Sequence, residues 1–126
     1  MWDKLSGAGN MYAFSHELLL YGAKKVHTKK GRNVWRINGF NSGAKHTYGK
    51  KVHPTQKPME IIARIVRDGS APGDLVFDPF SGSGTTALVC KSLGRNFVGY
   101  ELDIANFQTI RDRFARGGTP LVFIDL

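Results

Sequence analysis

Leu75-Val76-Phe77-Asp78-Pro79-Phe80-Ser81-Gly82-Ser83-Gly84-Thr85-Thr86 decides the fold, together with Asn96-Phe97-Val98-Gly99-Tyr100-Glu101-Leu102-Asp103. An apolar strand over 75–77 feeds a glycine loop, and the apolar run Ala87-Leu88-Val89-Cys90-Lys91-Ser92-Leu93 leaves it as a helix. A second strand over 96–100 ends on an acid, with Glu101 seventeen positions beyond Gly84. This is one βαβ unit with a nucleotide-type loop and a ribose-type carboxylate at the expected separation. A lone Gly-x-Gly is also what a purely structural strand–turn–helix shows. Asp78 before the loop and Glu101 after it turn the reading toward a ligand.

Asp78 argues against a dinucleotide. A carboxylate at the lip of the first strand repels a pyrophosphate approaching the helix N-terminus. It suits a ligand that brings an ammonium group there, as S-adenosylmethionine does with its methionine amine. The ribose hydroxyls of that ligand want an acceptor such as Glu101. Phe80 is placed to face the cationic sulfonium, a contact worth about 0.5–2 kcal/mol. Gly82 and Gly84 are expected to let backbone approach the ligand where a Cβ would collide.

The loop resembles that of the amino-group DNA methyltransferases, which methylate adenine N6 or cytosine N4. His53-Pro54-Thr55-Gln56-Lys57-Pro58 resembles the segment preceding the loop in the permuted branch of that family. Glu101-Leu102-Asp103, followed by a helix carrying Arg111 and Arg113, resembles the next family motif. Trp2-Asp3-Lys4 and Phe14-Ser15-His16-Glu17-Leu18-Leu19 look like pieces that follow the catalytic strand. The resemblance implies an α/β, Rossmann-like S-adenosylmethionine methyltransferase fold with a partial sheet. It implies a cofactor site built from Asp78, Pro79, Phe80, Ser81, Gly82, Ser83, Gly84 and Thr85, from Glu101, Leu102 and Asp103, and from His53, Thr55 and Lys57. Thr55 and Lys57 would face the methionine carboxylate, although Lys57 equally fits a solvated lysine at a helix start. Phe14 and His16 either line a base pocket or pack within a strand.

The family's catalytic tetrapeptide is Asp, Asn or Ser, then Pro-Pro, then an aromatic. The five prolines here, at 54, 58, 72, 79 and 120, are never adjacent. An exocyclic base amine is a poor nucleophile, and in the family that tetrapeptide hydrogen-bonds it while the aromatic stacks on the flipped base. The resemblance therefore implies a chain that begins after its catalytic strand and names no catalytic residue of its own. Either the tetrapeptide arrives on a second chain, or this is an inactive binding remnant or regulatory module.

Charge divides the chain. Residues 1–58 hold 11 Lys and Arg against Asp3 and Glu17, and all four histidines; residues 59–126 hold 7 basic and 8 acidic residues. A basic half joined to a near-neutral one suits a nucleic-acid-facing module, or else a solvated basic loop. Lys24, Lys25, Lys29, Lys30, Arg32, Arg36, Lys45, Lys50 and Lys51 are the candidate phosphate contacts. Trp35, Phe40 and Tyr48 interleave with them, to stack on bases or to pin the loop. Double-stranded DNA is the implied partner, with the target base, adenine or cytosine, left open.

A chain of 126 residues suffices for one domain. The expectation is a single truncated methyltransferase domain over 1–126, basic and target-recognising in 1–52, cofactor-binding in 53–126. No stretch approaches the ~20 apolar residues needed to cross a bilayer. The single Cys90 has no disulfide partner, and a cytoplasmic protein is expected. No second histidine or cysteine stands at metal spacing from His53, so no metal is expected.

Residues 1–10 read as a loop, Met11 to Tyr21 as one strand or two, and Val34–Ile37 as a strand. Pro58 should open a helix running to about Arg67. Asp103 should cap a helix over 104–115, contact the cofactor, or both. Thr119–Ile124 reads as a third parallel strand. With the catalytic strand missing, strand 75–77 should expose an edge and apolar surface, so a homo-oligomer or a complementing chain is expected.

Overall fold

The computed structural model describes residues 1–3, 16–22, 32–37 and 56–115. The chain forms two compact units, Met1–Lys50 and Lys51–Leu126.

Among the described residues the first unit holds three short strands, β1 (Trp2–Asp3), β2 (His16–Glu17) and β3 (Trp35–Arg36), in the order β2-β1-β3. Trp2 lies opposite Glu17 in an antiparallel pair and opposite Trp35 in a parallel one. The Trp35 N–H donates to the Met1 carbonyl at 2.9 Å, and the Met1 ammonium to the Asn33 carbonyl at 2.7 Å. Pairing on both edges makes Trp2–Asp3 a central strand, which corrects the loop expected for residues 1–10. The strand expected up to Tyr21 ends at Glu17, because β1 is too short to extend the ladder. Positions 4–10 and 11–15 lie outside the described residues.

The second unit runs α1 (Met59–Gly69), β4 (Leu75–Asp78), α2 (Thr85–Ser92), β5 (Asn96–Gly99) and α3 (Ile104–Ala115). β4 and β5 pair in parallel, Val76 opposite Phe97 and Asp78 opposite Gly99. Pro58 takes the N-cap position, one place before the helix, where its missing N–H costs nothing. α1 continues two residues past the expected end. The Ser70 hydroxyl donates to the Val66 carbonyl at 2.6 Å, and Arg95 donates to the Ser70 carbonyl at 2.7 Å, so the last turn is tied down.

The packing explains why the apolar residues fall where they do. Val66, Val89 and Cys90 form a buried cluster against Val76 and Phe97, and Ala87, Ile110 and Phe114 form another that also reaches Phe97. Val76 and Phe97 share one sheet face, so all three helices cover that face. The opposite face carries Leu75 (65% exposed), Phe77 (58%), Val98 and Tyr100, with the Phe77 and Tyr100 rings edge-on at 5.9 Å. Among the described residues β4 pairs only with β5, and the apolar flank expected for this strand is exposed at Leu75 and Phe77. The strand expected over 119–124 lies outside the described residues.

Candidate cofactor site

The loop between β4 and α2 is tied to the chain beyond β5 by backbone and carboxylate contacts. Past the last ladder pair, the Tyr100 N–H donates to the Asp78 carbonyl at 3.1 Å and the Ser81 N–H to the Tyr100 carbonyl at 2.9 Å. The Asp78 carboxylate accepts the Phe80 N–H at 3.1 Å on one oxygen and the Thr86 hydroxyl at 2.6 Å on the other. The Glu101 carboxylate accepts the Gly82 N–H at 2.6 Å and the Asp103 N–H at 2.9 Å. Asp103 accepts from the Ala105 N–H at 2.7 Å, which makes it the expected N-cap of α3.

Gly82 and Gly84 both have positive φ, +53° and +78°, which favours glycine. Their surroundings differ. A Cβ on Gly82 would meet nothing closer than the Phe80 carbonyl oxygen at 4.0 Å, so this backbone opens to free space. A Cβ on Gly84 would lie 2.9 Å from Ile110 Cγ1. Gly84 is thus required by the packing of α3 as well as by its own positive φ. Gly99 is a third requirement that the loop sequence does not announce, since a Cβ there would collide with Ser81 Oγ and with the Phe97 ring.

Asp78, Phe80, Gly82 and Glu101 converge at the C-terminal ends of two adjacent parallel strands, where open α/β sheets bind ligands. Pro79, Phe80 (88% exposed) and Leu102 (fully exposed) stand around the loop. Ser81, Ser83 and Thr85 are buried instead. The Ser81 hydroxyl donates to the Asp78 carbonyl, and Ser83 meets Arg113. Lys57 is exposed just ahead of α1; His53 and Thr55 lie outside the described residues. Of the basic candidates Arg32 and Arg36 are described, both exposed, while Lys24, Lys25, Lys29, Lys30, Lys45, Lys50 and Lys51 are outside, as is Phe14. Among the described residues no group of three metal-ligating side chains occurs, and no helix is long and apolar enough to cross a membrane.

Thr86 and Gly99 are site residues to which sequence reading gave no role, and Arg113 was named there only as part of the helix that follows Glu101-Leu102-Asp103. Its spacing is a further signal: three residues after Ile110, half-buried Arg113 lies on the neighbouring part of the same helix face. Burial pushes its guanidinium below the ordinary arginine value and pushes the Cys90 thiol above its own.

The donor set fits a cationic ligand that carries hydroxyls. A carboxylate offers about four lone-pair positions, and Asp78 and Glu101 each use two on their own chain. The exposed Phe80 ring adds a face for a cation.

The DNA methylase model of the N6/N4 methyltransferase family matches residues 5–112. Type II methyltransferase M.HinfI of Haemophilus influenzae is 36% identical over 94 residues, 73% of this chain and 25% of that protein. Type II methyltransferase M2.MboI of Moraxella bovis is 36% identical over 102 residues, 80% of this chain and 35% of its own length. The chain thus spans about a third or less of these curated relatives. The crystal structure of the M1.HpyAVI–SAM complex superposes with a TM-score of 0.53 at 36% identity, over 75% of this chain and 42% of that one. The fold is the Rossmann-like α/β fold of the S-adenosylmethionine-dependent methyltransferases, with two parallel strands of its sheet among the described residues. A match over most of the chain, to relatives of a single kind, settles its kinship: it belongs to the N6/N4 DNA methylase family.

Proposed function

We propose that this chain is the S-adenosylmethionine-binding part of a DNA methyltransferase acting on the N6 amine of adenine or the N4 amine of cytosine. The observation that carries the reading is the pairing of Asp78 and Glu101 at neighbouring strand ends, each holding one side of a glycine loop open at Gly82. The spare lone pairs of Glu101 accept the ribose hydroxyls, Asp78 offers its charge to the methionine amine, and the Phe80 ring faces the sulfonium. Bound S-adenosylmethionine supplies the electrophilic methyl group. Thr55 and Lys57 are assigned to the methionine carboxylate, and His53, Leu102 and Asp103 are further cofactor contacts in this reading.

No Pro-Pro pair occurs in this chain, so the groups that accept hydrogen bonds from the base amine come from another segment. A complementing chain seated on the exposed face of Leu75 and Phe77 would supply them; a second copy, which lacks the same pair, would cover that face without supplying them. The basic residues of 1–52 contact the DNA phosphates, and a cytoplasmic setting goes with this work.

Calorimetry with S-adenosylmethionine and with NAD tests the cofactor assignment. Binding of the first and not the second is expected; tight NAD binding with no response to S-adenosylmethionine would overturn it. The absence of adjacent prolines also favours a second reading, a module that binds without turnover. Labelled cofactor and unmethylated duplex, incubated with this chain alone, separate the two. Label in DNA without added protein refutes the binding module.

A further inference from the structure

The Ser83–Gly84 peptide is pinned on both of its edges. Its N–H, on Gly84, donates to the Ser81 carbonyl at 2.8 Å. Its carbonyl, on Ser83, accepts from Arg113 Nη1 at 2.5 Å, and the same nitrogen lies 3.3 Å from Ser83 Oγ. The peptide is planar, so these two contacts together fix its rotation. Gly82 and Gly84, with positive φ on either side of Ser83, leave that rotation soft unless something holds it. Ser83 is only 5% exposed, so water is poorly placed to replace the guanidinium on its carbonyl. α2 does not satisfy that carbonyl either, because the first helical amide bond, from Leu88, goes to the Gly84 carbonyl.

We infer that Arg113 is a positioning residue for the cofactor. It reaches from α3 to hold the Ser83 carbonyl, and so sets the loop in which Gly82 and its Glu101 contact present the ligand face. This rests on the S-adenosylmethionine reading above. The guanidinium suits the task because it stays charged, and its bond to a carbonyl is stronger than a neutral one. Its burial, with the lowered basicity that accompanies it, is tolerable because the Ser83 contacts offset part of the desolvation. Ile110 packs against Gly84 one turn away, so α3 clamps the loop by an apolar and a polar contact together.

The test compares Arg113→Ala, Arg113→Lys and Phe114→Leu, the last being a change on the same face of α3 that leaves the loop untouched. Amide hydrogen exchange on the cofactor-free chain reads loop order directly. Arg113→Ala should speed exchange at Gly82 and Gly84 by roughly tenfold, the scale of one charge-assisted hydrogen bond. Phe114→Leu should lower thermal stability without that local change. Calorimetry should show S-adenosylmethionine affinity falling by a similar factor in Arg113→Ala. Arg113→Lys, which keeps a donor, and added guanidinium on the alanine variant should each restore part of it. Unchanged loop exchange in Arg113→Ala overturns the inference, whatever the chain binds. Faster loop exchange in Arg113→Ala, alongside a wild-type chain that ignores S-adenosylmethionine, leaves the clamp standing and removes the cofactor reading. Equal loss of affinity in Phe114→Leu, at equal stability, would make Arg113 merely structural.

Discussion

The Glu101 carboxylate bridges the Gly82 N–H and the Asp103 N–H, so one side chain joins the tip of the glycine loop to the start of α3. Both partners are donors, which makes Glu101→Gln far from silent. An amide has one oxygen, and its NH₂ group must then face one of the two N–H groups. The variant should lose about 1–3 kcal/mol of stability and bind S-adenosylmethionine at least tenfold more weakly. Urea unfolding and calorimetry on the same sample measure the two losses.

Asp78→Asn should behave differently. Asp78 holds one N–H and one hydroxyl, and the Thr86 hydroxyl can turn to accept from an amide. The loop should keep its shape and stability while the charge is lost. S-adenosylmethionine affinity should then fall roughly tenfold or more, as a charge-assisted contact becomes neutral. Unchanged affinity would mean that Asp78 shapes the loop and does not face an ammonium group.

Gly84→Ala puts a Cβ 2.9 Å from Ile110 Cγ1 at a φ of +78°. Strain and overpacking together should cost about 2–4 kcal/mol. Adding Ile110→Ala removes both Cγ atoms that the new Cβ meets, so the double variant should be more stable than the sum of the two changes. Additive losses in thermal unfolding would refute the proposed collision.

Cys90 is wholly buried, and its thiol is held above its ordinary pKa chiefly by desolvation, with Arg95 opposing and Asp78 adding to the rise. A raised folded-state pKa means that the unfolded chain gives up the proton first. The stability this group contributes is therefore full below about pH 8.5 and declines as pH rises past the ordinary thiol value. Chemical unfolding from pH 7 to 10 should show a downward slope that is shallower in Cys90→Ala. An identical slope in both proteins would assign it to other groups.

Binding of duplex DNA through the basic half should be weak, nearly indifferent to sequence and steeply salt-dependent. About six phosphate contacts would cost roughly 10³-fold in affinity between 50 and 200 mM salt. Charge reversal at Lys29 and Lys30 should flatten the slope, and Glu101→Ala should leave it alone. A salt-insensitive affinity would leave those lysines as solvated charges.

Much of the cofactor half was legible in local chemistry. A short apolar run, a glycine loop, a helical run and a terminal acid place β4, α2 and β5 within a residue or two, and an aspartate before an amphipathic run places α3. Strand alternation and helix capping act between near neighbours, so the order of residues suffices to state them. The same order of segments was enough to suggest the family. The first unit was harder. β1 is a strand because β2 brings it partners from 13 and 15 positions away and β3 from 33, and nothing in Trp2-Asp3 announces this.

What the sequence determined by itself is therefore the succession of elements and the identity of the two carboxylates that frame the loop. The tertiary structure decided what each residue does there. Gly84 answers to Ile110, Ser83 to Arg113 and Gly82 to Glu101, across separations of 26, 30 and 19 residues. Such pairings depend on where α3 comes to rest against the loop, which the packing of Ala87, Ile110 and Phe114 sets. Packing is a sum over contacts from distant parts of the chain, and no single stretch of sequence contains it.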